Sequence, residues 1–302
     1  MTARRKLKTE PAEPEKKGGQ SWRRREVDLT SPAAQGGAAV AAGAEPAPRA
    51  SSRLCEEISC LSGGTCFLGF SRGKDSIAAW LQLRKYFTRI IPFHCASVPH
   101  LGFVDESLAY YERVFGTEII RLMDGACIKA VNKLFWQPPG SEEEVIALVE
   151  WWYDKHDQIK ALQRDLHLPN AWCAFGINMT DSLDRRIWVE KIGGKNPQHM
   201  TFYPCFDWKK SEIIDAIQAA GILLPKDYLR VNRSMAGLPA YRHMAHMREW
   251  APDDYDRVLS MYPMLEAELA RQEFRRAKHP AKGRGTPTAT AALGMVSARA
   301  IA

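Results

Sequence analysis

No stretch of this chain stays apolar for the roughly 20 residues that a membrane-spanning helix needs, so no membrane partner is expected. The apolar segment of a secretory signal is missing too. Arg4, Arg5, Lys6 and Lys8 run on into Glu10, Glu13 and Glu15. Cysteine is scarce and odd in number, seven in 302 residues, which argues against a disulfide framework and for free thiols in a reducing, cytoplasmic setting. None of the seven lies beyond Cys205. Basic excess is absent from the middle of the chain, although the total is +7. Residues 1–50 hold ten Lys/Arg against six Asp/Glu and residues 271–302 hold seven against one, which leaves −3 for residues 51–270. The high isoelectric point therefore belongs to the ends and says little about what the centre binds.

What is present divides into three parts. Residues 1–52 are rich in Ala, Gly, Pro and charge and read as a disordered basic arm; residues 278–302 read as a second disordered basic tail. Either tail is a candidate for nucleic-acid contact, or simply solubilising. Residues 53–277 carry the ordered patterning. Strand-like runs at Thr65–Phe70, Ile90–Val98, Glu118–Met123 and Ala171–Ile177 alternate with helix-like runs at 74–87, Asp105–Phe115 and Lys209–Ala220. Asp105 is a candidate N-cap, and Gly221 stops the last helix. Residues 141–167 read as one long helix, whose Trp151, Trp152 and Tyr153 suit a core or a base pocket. This alternation predicts an α/β fold with a parallel, helix-covered sheet and a helical C-terminal part over about 209–277.

The segment Cys66–Ser76 (CFLGFSRGKDS) places a turn between the first strand and the first helix. A helix start leaves backbone N–H groups unpaired and favours an anion. Gly73 permits close approach, Ser71 and Ser76 supply hydroxyls, and Lys74 adds positive charge. A Walker A loop is excluded, because only three residues separate Gly69 from Gly73 and Asp75 stands where the magnesium-binding hydroxyl belongs. A Gly-x-Gly-x-x-Gly dinucleotide fingerprint is absent.

Ser-x-Gly-x-Asp-Ser after the first strand resembles the PP-loop of the ATP pyrophosphatase superfamily, usually Ser-Gly-Gly-x-Asp-Ser. Three later segments resemble the phosphoadenosine phosphosulfate (PAPS) reductase branch of that superfamily. Gly176–Arg186 (GINMTDSLDRR) is similar to Gly-Ile-Arg-x-x-Glu-Ser-x-x-Arg. Tyr203–Trp208 (YPCFDW) is similar to Pro-x-x-Asp-Trp, and Gly221–Tyr228 (GILLPKDY) to Gly-Leu-Pro-x-x-Pro-x-Tyr. All four occur in family order over residues 65–230. The resemblance implies a fold like that of adenine nucleotide α-hydrolases and a site for ATP or PAPS, with magnesium. It implies nucleotide binding by Ser71, Arg72, Gly73, Lys74, Asp75, Ser76, Ser182, Arg185 and Arg186, with Lys74, Asp75 and Arg185 as catalytic groups. Arg185 and Arg186 offer guanidinium forks suited to phosphate or sulfate. Lys191 and Lys195, beside Gly193-Gly194, are weaker candidates.

The chain departs from the branch in its thiols. The reductases use a Glu-Cys-Gly-x-His motif near the C terminus as nucleophile, and no such motif occurs here. Cys205 is the remaining thiol near a family segment, and burial suits it better than catalysis. Cys55, Cys60 and Cys66 match no iron–sulfur spacing, and His243 and His246 have no third ligand in sequence, so neither a cluster nor a side-chain metal site is expected. Asn178 replaces the first arginine of its segment, and Asp207 is read as a helix cap or a catalytic carboxylate. The expected activity is that of an ATP pyrophosphatase-type transferase in sulfur metabolism. ATP would be cleaved between its α- and β-phosphates to adenylate an acceptor for sulfur or nitrogen transfer. Two alternatives stand beside it: sulfonucleotide reduction with an external thiol, and a non-catalytic nucleotide-binding module whose tails bind nucleic acid.

Overall fold

The computed structural model describes residues 49–125, 127, 130, 136, 155–231, 234, 235 and 241–278. Most of both expected arms, the Trp151–Tyr153 cluster and the first half of the expected 141–167 helix lie outside the described residues.

The centre of the fold is β1 (Thr65–Gly69), whose Cys66, Phe67 and Leu68 are all buried. A strand buried on both faces belongs to a parallel sheet covered by helices. Its neighbours are β2 (Arg89–Ala96) on one side and β4 (Trp172–Phe175) on the other, both parallel to it. Beyond β2 lies β3 (Ile120–Met123), also parallel. Beyond β4 come the short β6 (Thr201–Phe202), parallel, and β5 (Lys195–Asn196), antiparallel, giving the order β3-β2-β1-β4-β6-β5. The α/β, mostly parallel, helix-covered architecture expected from the alternating pattern is what forms.

Alternation along β1 and β4 divides the core. Cys66, Leu68, Trp172 and Ala174 face the larger cluster, shared with α1 (Ala50–Leu61), α2 (Lys74–Leu83), α3 (Gly102–Phe115) and α6 (Lys210–Ala219). Phe67, Phe93 and Cys173 face a smaller cluster closed by Ile159 and Leu162 of α4 (Lys155–Asp165). Between β4 and β5 runs α5 (Leu183–Ile192), which buries only Val189. The C-terminal part is helical, as expected: α7 (Lys226–Val231), α8 (Tyr241–Trp250), α9 (Pro252–Met261) and α10 (Leu265–Lys278).

Two caps differ from expectation, each because the partner is remote in sequence. The first helix starts at Ala50, inside the segment assigned to the arm, and Ser51 is buried. Its Ser51 amide donates to Asp207 Oδ2 at 3.2 Å. Asp207 therefore caps α1 and not α6, whose own Glu212 receives the Lys209 amide at 2.6 Å. Asp105 is not the N-cap of α3 either. That helix begins at Gly102, and Asp254 of α9 accepts from the Gly102 and Phe103 amides at 2.6 and 3.2 Å. A carboxylate on two first-turn amides serves the same purpose as a local cap.

Candidate functional site

The chain leaves β1 to one side for β2 and β3, then returns to the other side for β4. The carboxyl ends of β1 and β4 thus flank the switch point, where open α/β sheets form their ligand crevice. Both motif-bearing turns open there: Phe70–Asp75 after β1 and Gly176–Ser182 after β4. They are in close contact. A Cβ on Gly176 would stand 2.6 Å from both Asp75 C and Ser76 N, so only glycine lets the second turn lie against the first.

The first turn leaves the start of α2 open. Gly73 is the N-cap of α2, and among the described residues no side chain caps that helix. Ser76 Oγ donates to Gly73 O at 2.9 Å and lies 3.3 Å from Ser71 Oγ, which places both hydroxyls at the helix start. Lys74 Nζ sits 2.5 Å from Asp75 Oδ1, so ammonium and carboxylate neutralise each other at the mouth of the turn. Beside them is the hydroxyl of Tyr228, on α7. Burial, then the charges of Asp75 and Asp181, push its ionisation up, which keeps it a neutral donor. The turn carbonyl Phe70 O lies 2.9 Å from His94 Nδ1 at the end of β2. Burial and the neighbouring Arg72 charge hold His94 down at about 4, so Nδ1–H of a neutral imidazole donates to that carbonyl.

Arg72 is placed differently from the expected phosphate ligand. Its φ is 64°, a left-handed conformation, at the position where the resembling motif carries glycine. Its side chain is fully buried and turns away from the helix start into the core. Nη1 and Nη2 pair with Asp227 Oδ1 and Oδ2 at 3.2 and 3.1 Å, and they also donate to Ser107 Oγ and Met235 O. A guanidinium committed in this way is not open to phosphate.

On the β4 side, Ser182 is the N-cap of α5, its Oγ accepting from the Arg185 amide at 3.2 Å. Arg185 is half exposed and pairs with Asp181 at 2.5 Å, while Arg186 is exposed on the same helix. Asn178 is buried and structural. Its Nδ2 donates to Cys205 O and Trp208 O, and its Oδ1 accepts from the Thr180 amide and hydroxyl. Lys195 is drawn off to Glu57, and Gly193-Gly194 form a tight left-handed turn against Phe206. Cys205 is buried, and burial pushes its thiol well above the ordinary range, so it supplies no thiolate at neutral pH. His243 is buried and His246 exposed on α8, and among the described residues no group of three His, Cys, Asp or Glu is arranged to hold a metal.

Sequence reasoning missed the inward turn of Arg72, its partner Asp227, and His94 and Ser234. Tyr228 and Gly176 were visible as the ends of quoted segments but carried no role.

No family model and no curated protein sequence matches the chain. Among solved structures, the chain is similar to U34-tRNA thiolase NcsA from Methanococcus maripaludis with its [4Fe-4S] cluster, at TM-score 0.41 and 12% identity, covering 71% of this chain and 77% of that one. It is also similar to NH3-dependent NAD synthetase from Campylobacter jejuni subsp. jejuni NCTC 11168 in complex with the nitrate ion, at TM-score 0.36 and 15% identity, covering 75% and 94%. Both scores fall below 0.5, and function has to be read from the crevice itself. Among the described residues no helix is long and apolar enough to cross a membrane.

Proposed function

We propose that the chain is a PAPS reductase-like enzyme of the PP-loop class that binds an adenine nucleotide at Ser71–Ser76 and uses ATP to adenylate an acceptor. The observation that carries this reading is the meeting of two motif-bearing turns at the switch point, joined at Gly176 against the Asp75–Ser76 peptide.

The role of each group follows from its position. The uncapped start of α2 and the Ser71 and Ser76 hydroxyls hold the β- and γ-phosphates. Lys74 lies beside them and offsets charge as pyrophosphate leaves. Arg185 exchanges its Asp181 partner for phosphate, and Arg186 adds a second fork. An acceptor oxygen attacks the α-phosphorus, the bond from that phosphorus to the bridging oxygen breaks, and the electron pair leaves with pyrophosphate. A sulfur or nitrogen nucleophile then displaces AMP from the adenylated acceptor. Asp75 and Asp181 both raise the ionisation of the Tyr228 hydroxyl and are oxygen donors of the kind magnesium takes when phosphates supply its other ligands, so the residues fit the ion. Bound there, magnesium would screen the phosphate charge.

The buried Cys205 weighs against sulfonucleotide reduction by the chain's own thiols and leaves that reading dependent on an external one. A reducing, cytoplasmic setting belongs to the same proposal, as do an acceptor of unspecified class and the domain limits 53–277.

Calorimetric titration with magnesium–ATP and separately with PAPS tests the reading, with Asp75→Ala and Arg185→Ala as controls. Tighter binding of ATP, weakened in both variants, is expected, with pyrophosphate release once the acceptor is supplied. Tighter binding of PAPS would move the assignment to sulfonucleotide chemistry. Binding of neither would end the enzymatic reading.

A further inference from the structure

The buried side chain of Arg72 points to a residue that the motifs do not name. Asp227 is almost fully buried and receives three donors: both terminal nitrogens of Arg72 and, at 2.6 Å, the amide of Met235. Arg72 Nη2 closes the ring by donating to Met235 O at 3.1 Å. The backbone of residue 235 is thus held at both its N–H and its C=O by one ion pair that originates inside the phosphate turn. Its predecessor, Ser234, is carried onto the turn. Ser234 Oγ lies 3.0 Å and Ser71 Oγ 3.4 Å from where a Cβ on Gly73 would stand. Gly73 is therefore flanked by two hydroxyls, one from its own turn and one from more than 150 residues further on.

This arrangement has a structural cost that calls for a reason. A left-handed arginine is strained where glycine would not be. Its charge is fully buried, and one bidentate carboxylate with two further acceptors must offset that burial. A glycine at this position would give the same backbone turn without either penalty. What glycine would not give is the link to residues 227–235.

We propose that Arg72 and Asp227 form a positioning clasp that holds the Ser234 hydroxyl over Gly73, making Ser234 a further phosphate-binding residue of the cradle. The inference rests on the nucleotide reading given above. Ser71 and Ser76 approach the anion from within the turn, and Ser234 approaches it from the C-terminal side. The clasp makes the two sides one unit, so the cradle is complete only when α7, Ser234 and Met235 are seated.

The test is calorimetric titration of the full chain with inorganic pyrophosphate and with magnesium–ATP, alongside thermal melts, for Ser234→Ala, Arg72→Gly and Arg72→Lys. Ser234→Ala removes one hydroxyl and leaves the clasp intact. A loss of one hydrogen bond to a charged ligand raises Kd roughly tenfold, with the melt unchanged. Arg72→Gly keeps the left-handed turn without strain but removes the clasp, and it is expected to weaken binding at least as much as Ser234→Ala. Arg72→Lys retains one charge contact and is expected to fall between wild type and Arg72→Gly. A lowered melting temperature with Kd unchanged in both Arg72→Gly and Ser234→Ala would make the clasp merely structural and overturn the inference. Failure of the wild-type chain to bind either ligand would instead overturn the nucleotide reading beneath it.

Discussion

Gly176 is the position where a single methyl group should separate folding from function. A Cβ there would lie 2.6 Å from Asp75 C and Ser76 N and 2.7 Å from Asp75 O. Ordinary carbon contacts begin near 3.5 Å, so the overlap approaches 1 Å on three atoms. All three are backbone atoms at the start of α2, and no side-chain rotation relieves them. The φ of Gly176 is not left-handed, so the overlap is the whole effect of Gly176→Ala. Overpacking of this kind costs about 1–3 kcal/mol, which a domain stable by about 5–15 kcal/mol survives. The strain is relieved by moving the two turns apart, and a misplacement approaching 1 Å in the cradle weakens phosphate binding roughly 10- to 100-fold. Gly116→Ala is the control. It sits at φ +66° with nothing within 4 Å of its Cβ, so it costs about 1 kcal/mol through backbone strain alone. Urea denaturation and titration with magnesium–ATP should show both variants destabilised and only Gly176→Ala weakened in binding. Equal binding in the two variants would refute the argument that the β1 and β4 turns form one site.

Three other outcomes are expected. His94 titrates at about 4 when folded and near 6.5 when unfolded, so the unfolded chain takes up its proton first; stability falls by up to about 3 kcal/mol as pH drops through that window, and His94→Asn flattens the fall in urea melts. Asp207→Ala uncaps α1 and costs about 1 kcal/mol, lowering the melting temperature by roughly 2–4 °C while ATP binding holds; a selective loss of binding would return Asp207 to the site. Mild alkylation labels Cys60, the exposed thiol, ahead of the buried Cys55, Cys66, Cys127, Cys173 and Cys205, as peptide mapping would show; early labelling of Cys205 would reopen thiol chemistry.

Much of the fold was legible from local pattern. The first four strands and helices α2 and α3 form near the expected positions, because their apolar residues recur at the strand or helix period and are bounded by turns. The Ser71–Ser76 turn was legible for the same reason, since strand, glycine and helix start are adjacent in sequence. Elements without such a signal were not. Helix α5 buries one residue, so it has no apolar stripe to read, and β5 and β6 are two residues each, too short to show alternation. The candidate site divides along the same line. Sequence alone determined which residues enter the two turns. Only the tertiary structure decided that Arg72 points inward to a carboxylate 155 positions away, that Asp207 caps a helix 156 residues before it, and that Gly176 meets the Asp75 peptide. A side chain's direction is set by partners that approach from distant parts of the chain, and local pattern carries no record of them.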